Sequence, residues 1–387
     1  MDSANFTGAR PGGAERSTGE TRNDSHGRIA GLDGLRAVAV LLVVLSHYGF
    51  NREVPGALGV TIFFFLSGYL ITTLLLRETA RTGTVKKRDF YIRRFLRLSP
   101  ELAFLLLFSG LGGALYVGLP RVMDFVAAAF YFTNYYHVAH IYGQVEGLRW
   151  PHLWSLAVEE HYYILYPLVF SLFWRTPKRF TVFLIGVCVA ALAWRCVAIK
   201  IGLPGGYTYV ASEARIDSIA YGCLLALLSR REAWRDFWAK HWIAAQVIGV
   251  ALLVSSLLIR DPFFRDTFRY SMQGLGLAFA FAGLLQVRPG NVGLKLLEVA
   301  PLVWMGQMSY GAYLWHLEFA HLSERFLPGV FHEEGPLAMR ALYALLATSF
   351  AFGAGYVSYR LVGEPMLALR KRFGAHVEPA PKHAAKG

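Results

Sequence analysis

Long apolar stretches separated by short polar loops make up most of this chain. Ten apolar runs follow a polar N-terminal segment, at about 32–50, 57–76, 98–119, 152–174, 180–199, 213–229, 241–259, 269–287, 301–321 and 337–361. Most of these runs are long enough to cross the roughly 30 Å hydrocarbon core of a bilayer as a helix. The pattern predicts an all-α fold, a polytopic integral membrane helical bundle with about ten transmembrane helices.

A further run, from Val122 to Phe132, is shorter and carries Asp124. Lysine and arginine concentrate on the side of the N-terminus only if this run does not cross, because a crossing there would flip every later loop. We therefore expect a re-entrant or interfacial helix at 122–132. Both termini of this multi-pass cell-membrane protein are then expected in the cytoplasm.

The domain organisation expected from these patterns is simple. Three segments are predicted: a disordered cytoplasmic tail over 1–28, one transmembrane domain over 29–364 and a basic cytoplasmic tail over 365–387. The first segment is not a signal peptide, because it lacks a hydrophobic core ahead of a cleavage site. No internal repeat of fixed period and no appended soluble domain are visible.

Composition and charge agree with a membrane protein. Of the 387 residues, 55% are hydrophobic and only 17% are charged. The net charge of +13 does not point to nucleic acid, because the basic residues lie in short loops between apolar runs. The cysteines Cys188, Cys196 and Cys223 fall within apolar runs and show no paired or metal-ligand spacing. They are interpreted as packing residues, without disulfides or a metal site.

The first apolar run, GLDGLRAVAVLLVVLSH, carries Arg36 near its start and His47 near its end. Eleven residues make three helical turns plus about 20°, so both side chains share one helix face. They are separated by roughly 16 Å along the axis. A snorkelling arginine and a packed histidine are the structural alternatives. Ionisable groups inside a span are expensive and tend to mark a pathway or reaction centre, so we favour a functional pair.

A basic stretch, KKRDFYIRRFLRLSPE, contains Arg93, Arg94 and Arg97. Arg94 and Arg97 are spaced i, i+3 and can present one cationic face. Arginine forks match phosphate geometry, which would suit a phosphorylated cytosolic co-substrate. A lipid-headgroup anchor that sets the topology is an equally good interpretation.

Two other polar motifs interrupt the apolar runs in the first half of the chain. In FFFLSGYLI, Ser67 and Gly68 favour close helix packing over a catalytic serine, because no Gly-x-Ser-x-Gly elbow accompanies them. In HLWSLAVEEHYYILYP, Glu159 and Glu160 lie about 100° apart, so at least one must point away from lipid. Such a carboxylate could orient a histidine or balance an arginine, whereas His161 is interpreted as a packing residue.

Two later helices carry further polar residues. Arg215 and Asp217, in RIDSIAYG, could form an internal ion pair with a structural role. In GQMSYGAYLWH, Ser309 and Gly311 suggest close packing, and Tyr310 or His316 could line a cavity.

Together these motifs resemble the integral-membrane acyltransferase 3 family. The matching stretches are GLDGLRAVAVLLVVLSH, FFFLSGYLI, FYIRRFLRLSP, HLWSLAVEEHYY, RIDSIAYG and SYGAYLWH, in the family's order over about 29–361. The resemblance implies transfer of an acyl group, commonly acetyl from acetyl-CoA, to a hydroxyl of a glycan or a secondary metabolite. Two positions depart from the family: residue 161 is His where Gln is frequent, and residue 96 is Leu where a further basic residue is common.

The resemblance and the residue chemistry together give the candidate site. The catalytic candidates are His47, Arg36 and Glu160, the acyl-CoA-binding candidates are Arg93, Arg94 and Arg97, and the cavity-lining candidates are Ser67, Trp154, Tyr310 and His316. His47 would take the proton of the acceptor hydroxyl, which attacks the acyl carbonyl directly; a covalent acyl-histidine is less favoured. Arg36 would steady the pantetheine arm or developing charge. Acetyl-CoA is expected as a co-substrate, with no metal and no permanently bound cofactor.

The expected acceptor is a small molecule, a macrolide-type antibiotic in antibiotic biosynthesis. The alternative is a cell-envelope polysaccharide or glycolipid. A proton-coupled transporter is the rival class, because intramembrane Arg, His and Glu could serve a proton path. The arginine stretch and the absence of an inverted repeat argue against it.

Overall fold

The computed structural model describes residues 29–115, 118–287, 290–327 and 335–373, and within these ranges helices are the only regular secondary structure. All of the helices belong to one compact unit. The predicted tail over 1–28 and residues 374–387 of the predicted C-terminal tail lie outside the described residues. The described part of that second tail, 365–373, is helical.

The helices follow one another with short connections. In chain order they are α1 (Leu32–His47), α2 (Gly56–Thr82), α3 (Lys87–Gly113), α4 (Val122–Ala129), α5 (Thr133–Ile141), α6 (Trp154–Phe173), α7 (Pro177–Lys200), α8 (Gly205–Val210), α9 (Ser212–Leu228), α10 (Glu232–Leu258), α11 (Pro262–Asp266), α12 (Phe268–Leu284), α13 (Val292–Leu297), α14 (Ala300–Gln307), α15 (Ser309–Phe326), α16 (Leu337–Ser358) and α17 (Glu364–Arg370). Short 3-10 turns lie at Pro151–Leu153 and Lys371–Phe373, and a π-helical turn, Tyr359–Gly363, joins α16 to α17.

Five helical segments of the described chain are long and apolar enough to cross a membrane. They are α2, α3, α7, α10 and the continuous segment Leu337–Arg370. The helices α1, α9, α12 and α15 occupy other predicted runs but contain only 16, 17, 17 and 18 residues, and α6 has 20 residues that include Glu159 and Glu160. A straight crossing needs about 20 apolar residues. The all-helical membrane architecture is therefore confirmed, whereas the count of about ten crossings is not.

The run at 122–132 does not form a long helix. Helix α4 has 8 residues, which measure about 12 Å at 1.5 Å per residue and cannot span a bilayer. Tyr131 follows α4 with a positive φ of 55°, a conformation that non-glycine residues rarely adopt, and α5 starts two residues later. The segment is thus a short helix followed by a turn, and its re-entrant or interfacial placement stays a prediction.

Close packing of α2 against α9 depends on two glycines. A Cβ on Gly68 would collide with the carbonyl oxygen of Ile219, and one on Gly222 would collide with that of Phe65. The small residues of FFFLSGYLI thus bring a neighbouring helix close, as the sequence predicted. This contact fixes α2, and Ser67 with it, beside the centre of the bundle.

Asp217 pairs with Arg195 of α7 and not with Arg215, so the ion pair suggested by the sequence is wrong. Arg195 Nη2 and Nη1 lie 2.8 Å and 3.0 Å from the two carboxylate oxygens of Asp217. Arg195 Nη2 also lies 2.6 Å from Ser271 Oγ, and all three side chains are buried. Residues two apart on a helix point about 200° apart, so Arg215 and Asp217 face different neighbours.

Candidate active site

Helix α1 carries a cluster of charges at its N-terminal end. The half-buried Arg36 lies within electrostatic range of Asp33 on its own helix, Glu159 of α6 and Arg94 of α3. Three helices thus bring predicted site residues from distant parts of the chain together. We call this group, with Arg97 and Glu160, the arginine end of the site.

The arginines of α3 have different roles in this cluster. The Arg94 guanidinium carbon lies 3.5 Å from the centre of the Tyr163 ring, a cation–π contact. The cations that act on Arg97 are Arg36, Arg94 and Arg370. Such a concentration of like charges is unfavourable unless an anion balances it. The carboxylates of Asp33, Glu159 and Glu160 balance part of this charge, and the guanidinium groups remain of a type that binds anions such as phosphate.

Arg93 turns away from this group and contacts other elements. Its guanidinium donates to Glu78 Oε2 of α2 at 3.3 Å and to the carbonyl oxygen of Phe373 at 3.0 Å. These contacts tie α3 to α2 and to the segment after α17. Of the three predicted phosphate-binding arginines, the structure brings Arg94 and Arg97 close to Arg36.

The two glutamates of α6 differ in their partners. Glu159 accepts hydrogen bonds on Oε1 from the hydroxyls of Ser67 and Tyr163. Glu160 acts on Arg94, and one of its carboxylate oxygens is buried with no hydrogen-bond partner among the described residues. Ser67, a predicted cavity residue, therefore orients the glutamate next to the one selected from the sequence.

Two tyrosines border the arginine end from other elements. Tyr310 of α15 donates its hydroxyl to the carbonyl oxygen of Leu98 at 2.7 Å. The Tyr131 hydroxyl lies 3.4 Å from Ser99 Oγ. Burial, together with the nearby carboxylate of Glu160, raises the pKa of Tyr131 to about 12, so its hydroxyl stays neutral at ordinary pH. The strained turn at 131 thus directs a neutral hydroxyl toward the site.

A cluster of imidazoles lies at the other end of α1. The ring of His47 packs edge-on against that of His316 of α15, with centroids 5.1 Å apart. His152, which lies just before α6, also packs edge-on against the ring of His316, with the two centroids 4.9 Å apart. The side chain of His47 is exposed, whereas His152 and His316 are buried. We call these three residues the histidine end of the site.

Backbone carbonyls set the tautomer of each imidazole. His47 Nδ1 lies 2.8 Å from the carbonyl oxygen of Val43, and His316 Nδ1 lies 2.6 Å from that of Tyr313. His152 Nε2 lies 3.1 Å from a carbonyl oxygen of α15. A carbonyl only accepts, so each of these nitrogens carries the hydrogen and the other ring nitrogen presents a lone pair. His47 Nε2 is therefore available as a base.

Trp154, the remaining predicted cavity residue, lies in a different group. It is one of four aromatic rings around the buried Arg215 guanidinium, whose carbon is 4.1–5.9 Å from the ring centres of Phe64, Trp154, Tyr209 and Tyr270. The Arg215 Nη2 group also donates to Thr61 Oγ1 at 3.0 Å. Trp154 thus helps to hold a buried cation between α2, α6, α9 and α12.

Two residues of these clusters are not among the candidates selected from the sequence. The sequence indicates both Glu159 and Glu160 and favours Glu160 as the catalytic candidate, because spacing alone does not tell which of two adjacent faces meets Ser67. His152 begins the motif HLWSLAVEEHYY and was not selected, although a histidine at the start of an apolar run was a usable signal. Among the described residues, no group of three or more His, Cys, Asp or Glu side chains could hold a metal ion.

Comparison with known proteins agrees with a membrane-bound acyltransferase. A family model described as an acyltransferase domain, that of the acyltransferase 3 family, matches residues 29–360. This match covers most of the chain, so the chain belongs to this family. No solved structure matches it.

Relatives named as O-acetyltransferases come from Staphylococcus aureus and Listeria monocytogenes. The chain is 32% identical over 314 residues to O-acetyltransferase OatA of Staphylococcus aureus (strain NCTC 8325 / PS 47), covering 74% of this chain and 50% of the relative. It is 27% identical over 354 residues to peptidoglycan O-acetyltransferase OatA of Listeria monocytogenes serovar 1/2a, covering 87% of this chain and 56% of the relative. The chain thus spans about half the length of these relatives.

Proposed function

We propose that this chain is a membrane O-acetyltransferase that transfers an acetyl group from cytosolic acetyl-CoA to a hydroxyl of a cell-envelope glycan. The observation that carries the proposal is the arrangement of α1, with arginines gathered at one end and imidazoles at the other. Acyl transfer from a thioester needs a cationic site for the donor and a base for the acceptor. The names of the relatives support the reaction and favour the envelope acceptor over a macrolide.

The arginine end would hold the donor. Coenzyme A carries phosphate groups that pair with guanidinium groups, and an anion between Arg94 and Arg97 would relieve their mutual repulsion. Arg36 is roughly 16 Å from His47 along the helix, so it would steady the pantetheine arm and not the reacting carbonyl. Acetyl-CoA is a co-substrate in this scheme, and no resident cofactor is needed.

The histidine end would activate the acceptor. His47 Nε2 removes the hydroxyl proton while the hydroxyl oxygen attacks the acetyl carbonyl carbon. The carbon–sulfur bond then breaks, the coenzyme A thiolate leaves and takes up a proton from water, and His47 releases the accepted proton to water. The exposed side chain of His47 suits a group that must meet a substrate entering from outside the bundle.

The test is a transfer assay with the full chain in lipid nanodiscs and [14C]acetyl-CoA. Peptidoglycan oligosaccharides, a glycolipid and a macrolide serve as competing acceptors. We expect label on the envelope acceptors, and at least a hundredfold loss of rate for His47→Ala. The matched control is His241→Ala, because His241 is an exposed histidine whose hydrogen bond, among the described residues, is to the carbonyl oxygen of Phe237 on its own helix.

Two outcomes would contradict the proposal. Label on the macrolide alone would overturn the envelope acceptor. Failure of folded wild-type protein to acetylate any acceptor, while it still binds acetyl-CoA, would overturn the transferase reaction.

A further inference from the structure

The histidine end contains more imidazoles than a single base requires. The ring of His316 contacts those of His47 and His152 edge-on, at 5.1 Å and 4.9 Å between centroids, and we call this series of contacts the line. Each ring donates one N–H to a backbone carbonyl, so each presents one bare lone pair. In this state every ring nitrogen that is not bound to a carbonyl is an acceptor, so no ring can donate a hydrogen bond to the next.

Two of these lone pairs are buried without a donor. His316 Nε2 and His152 Nδ1 have no hydrogen-bond partner among the described residues, although the side chains are only 0% and 5% exposed. A buried polar atom without a partner costs about 1–3 kcal/mol and calls for an explanation. A proton added to the line would supply the missing donor, since it could lie between two neighbouring acceptors.

We propose that His316 is the proton partner of His47. On this inference, which rests on the proposed function, His47 removes the proton from the acceptor hydroxyl and His316 Nε2 accepts a hydrogen bond from the new N–H. The imidazolium is thereby stabilised in the step in which the hydroxyl oxygen attacks. His316 acts through His47 and is a positioning residue, and His152 extends the same line by one ring.

The step balances without any further reactant. The hydroxyl O–H bond breaks and an N–H bond forms on His47, and the proton is then shared with His316 while the carbon–sulfur bond breaks. The proton passes to water when the ester product leaves, and the thiolate gains one proton from water. The net reaction converts an alcohol and a thioester into an ester and a thiol.

The other titratable groups around His316 can be named. They are Tyr48 of α1, which donates to the His316 carbonyl oxygen; Tyr313 and Glu318 on its own helix; Tyr343 of α16, packed on Tyr48; Glu101 of α3, near Tyr310; and Arg149 and His321, which contact Glu318. Glu318 and Arg149 form a buried ion pair at 2.7 Å. Glu318 also lies within electrostatic range of His152, and His321 is a further imidazole beside the pair.

Substitutions of His316 can separate proton sharing from packing. His316→Leu removes the acceptor, so we expect kcat to fall roughly tenfold to a hundredfold. The acid limb, which is the low-pH side of the plot of kcat/KM against pH, should shift to a different pH. KM for acetyl-CoA should stay unchanged. His316→Gln keeps an acceptor oxygen but cannot carry the proton, so it should restore the acid limb and only part of kcat. Added imidazole should raise the rate of His316→Ala by filling the space left by the ring.

The matched control is His161→Gln. His161 is a half-buried histidine whose Nδ1 lies 2.7 Å from Ser212 Oγ, and it stacks on Tyr135 outside the line. It should retain the wild-type pH profile. Wild-type kcat and pH profile in His316→Leu would overturn the inference. A fall in kcat that imidazole does not rescue, with an unchanged acid limb, would reduce His316 to packing and would also overturn it.

A measurement without substrate separates this inference from the proposed function. Nitrogen-15 histidine NMR of the labelled chain in micelles should show that the titration of His47 changes when His316 becomes Leu and stays unchanged in His161→Gln. Coupled titration in a protein that acetylates nothing would overturn the proposed function and leave the proton pair standing. Uncoupled titration in an active enzyme would overturn the proton pair alone.

Discussion

The three arginines at the start of α3 have unequal surroundings. Arg94 packs on the Tyr163 ring. Arg94 and Arg97 both lie within electrostatic range of Arg36. Arg93 is bound to Glu78 and to the backbone at Phe373. A donor with phosphate groups would therefore meet Arg94 and Arg97, while Arg93 holds neighbouring segments together.

The first prediction compares Arg94→Ala with Arg93→Ala. Charge-assisted hydrogen bonds contribute about 1.5–3 kcal/mol each, so Arg94→Ala should raise KM for acetyl-CoA roughly tenfold to a hundredfold and leave KM for the acceptor unchanged. Arg93→Ala should lower the yield of folded protein more than it changes either KM. Steady-state kinetics with each substrate varied in turn checks both. Equal effects on acetyl-CoA KM from the two variants would show that the contacts of Arg93 do not set it apart.

The second prediction concerns the adjacent glutamates of α6. Glu159 receives two hydroxyl hydrogen bonds and acts on Arg36, whereas Glu160 acts on Arg94 and keeps one oxygen without a described partner. Glu159→Gln should remove one of the two carboxylates near Arg36, the other being Asp33, so that the donor's pantetheine arm is positioned less well and kcat falls at least tenfold, a loss of about 1.4 kcal/mol. Glu160→Gln keeps its shape and should have the larger effect on acetyl-CoA KM. A loss of kcat confined to Glu160→Gln would instead support the glutamate predicted from the sequence.

Helix-scale contacts depend on whether a neighbour leaves room for a side chain. Gly68 of α2 faces the backbone of α9 so closely that a Cβ would collide with a carbonyl oxygen, whereas Gly186 of α7 has nothing within 4 Å of such a Cβ. Both glycines lie inside long helices. The two positions thus form a matched pair for separating helix packing from helix propensity.

The third prediction is that Gly68→Ala destabilises the protein and Gly186→Ala does not. Forcing a methyl group into a packed contact typically costs about 1–3 kcal/mol, while alanine in place of glycine inside an open helix gains up to about 1 kcal/mol. Thermal unfolding in detergent measures both. Because Ser67 is next to Gly68, the first variant should also lower the transfer rate. Equal melting temperatures for Gly68→Ala and wild type would indicate that α2 and α9 can separate at little cost.

Local patterns predicted much of this helix-scale picture. Hydrophobic runs located the long helices, and the spacing of Arg36 and His47 correctly put them on one helix. What the sequence could not provide was contact between distant segments: Arg195 with Asp217 is one example and His152 with His316 is another. Neither pair has a fixed spacing, because the helices that carry them meet only in the folded bundle. Helix ends were equally hard to predict, since apolar runs continue into turns.

At the scale of the whole molecule, the side of the membrane on which each loop lies follows from whether α4 crosses. Its 8 residues are too few, and α5 adds only 9 after a turn. If neither crosses, the loop before α7 and the basic N-terminal part of α10 lie on the same side of the membrane as the N-terminus. If the N-terminus is also cytoplasmic, as the basic loops predict, the arginine end of the site would face the cytosol and the histidine end would lie nearer the opposite surface.

The fourth prediction tests this arrangement by labelling single cysteines in whole cells with an impermeant maleimide. The native cysteines Cys188, Cys196 and Cys223 are first replaced by alanine. Thr84→Cys, Lys178→Cys and Lys240→Cys should then be protected from the reagent, and Lys200→Cys should be labelled; all four sites are exposed in the structure.

Thr84 precedes α4, so its protection serves as a fixed reference for the later positions. A crossing at 122–132 would leave Thr84→Cys protected but reverse the others, exposing positions 178 and 240 to the reagent and hiding position 200. Permeabilised cells, in which all four cysteines should react, show that protection reflects the membrane and not burial. Since the basic loops favour the cytoplasmic side, we expect the first pattern, with the donor site reached from the cytosol.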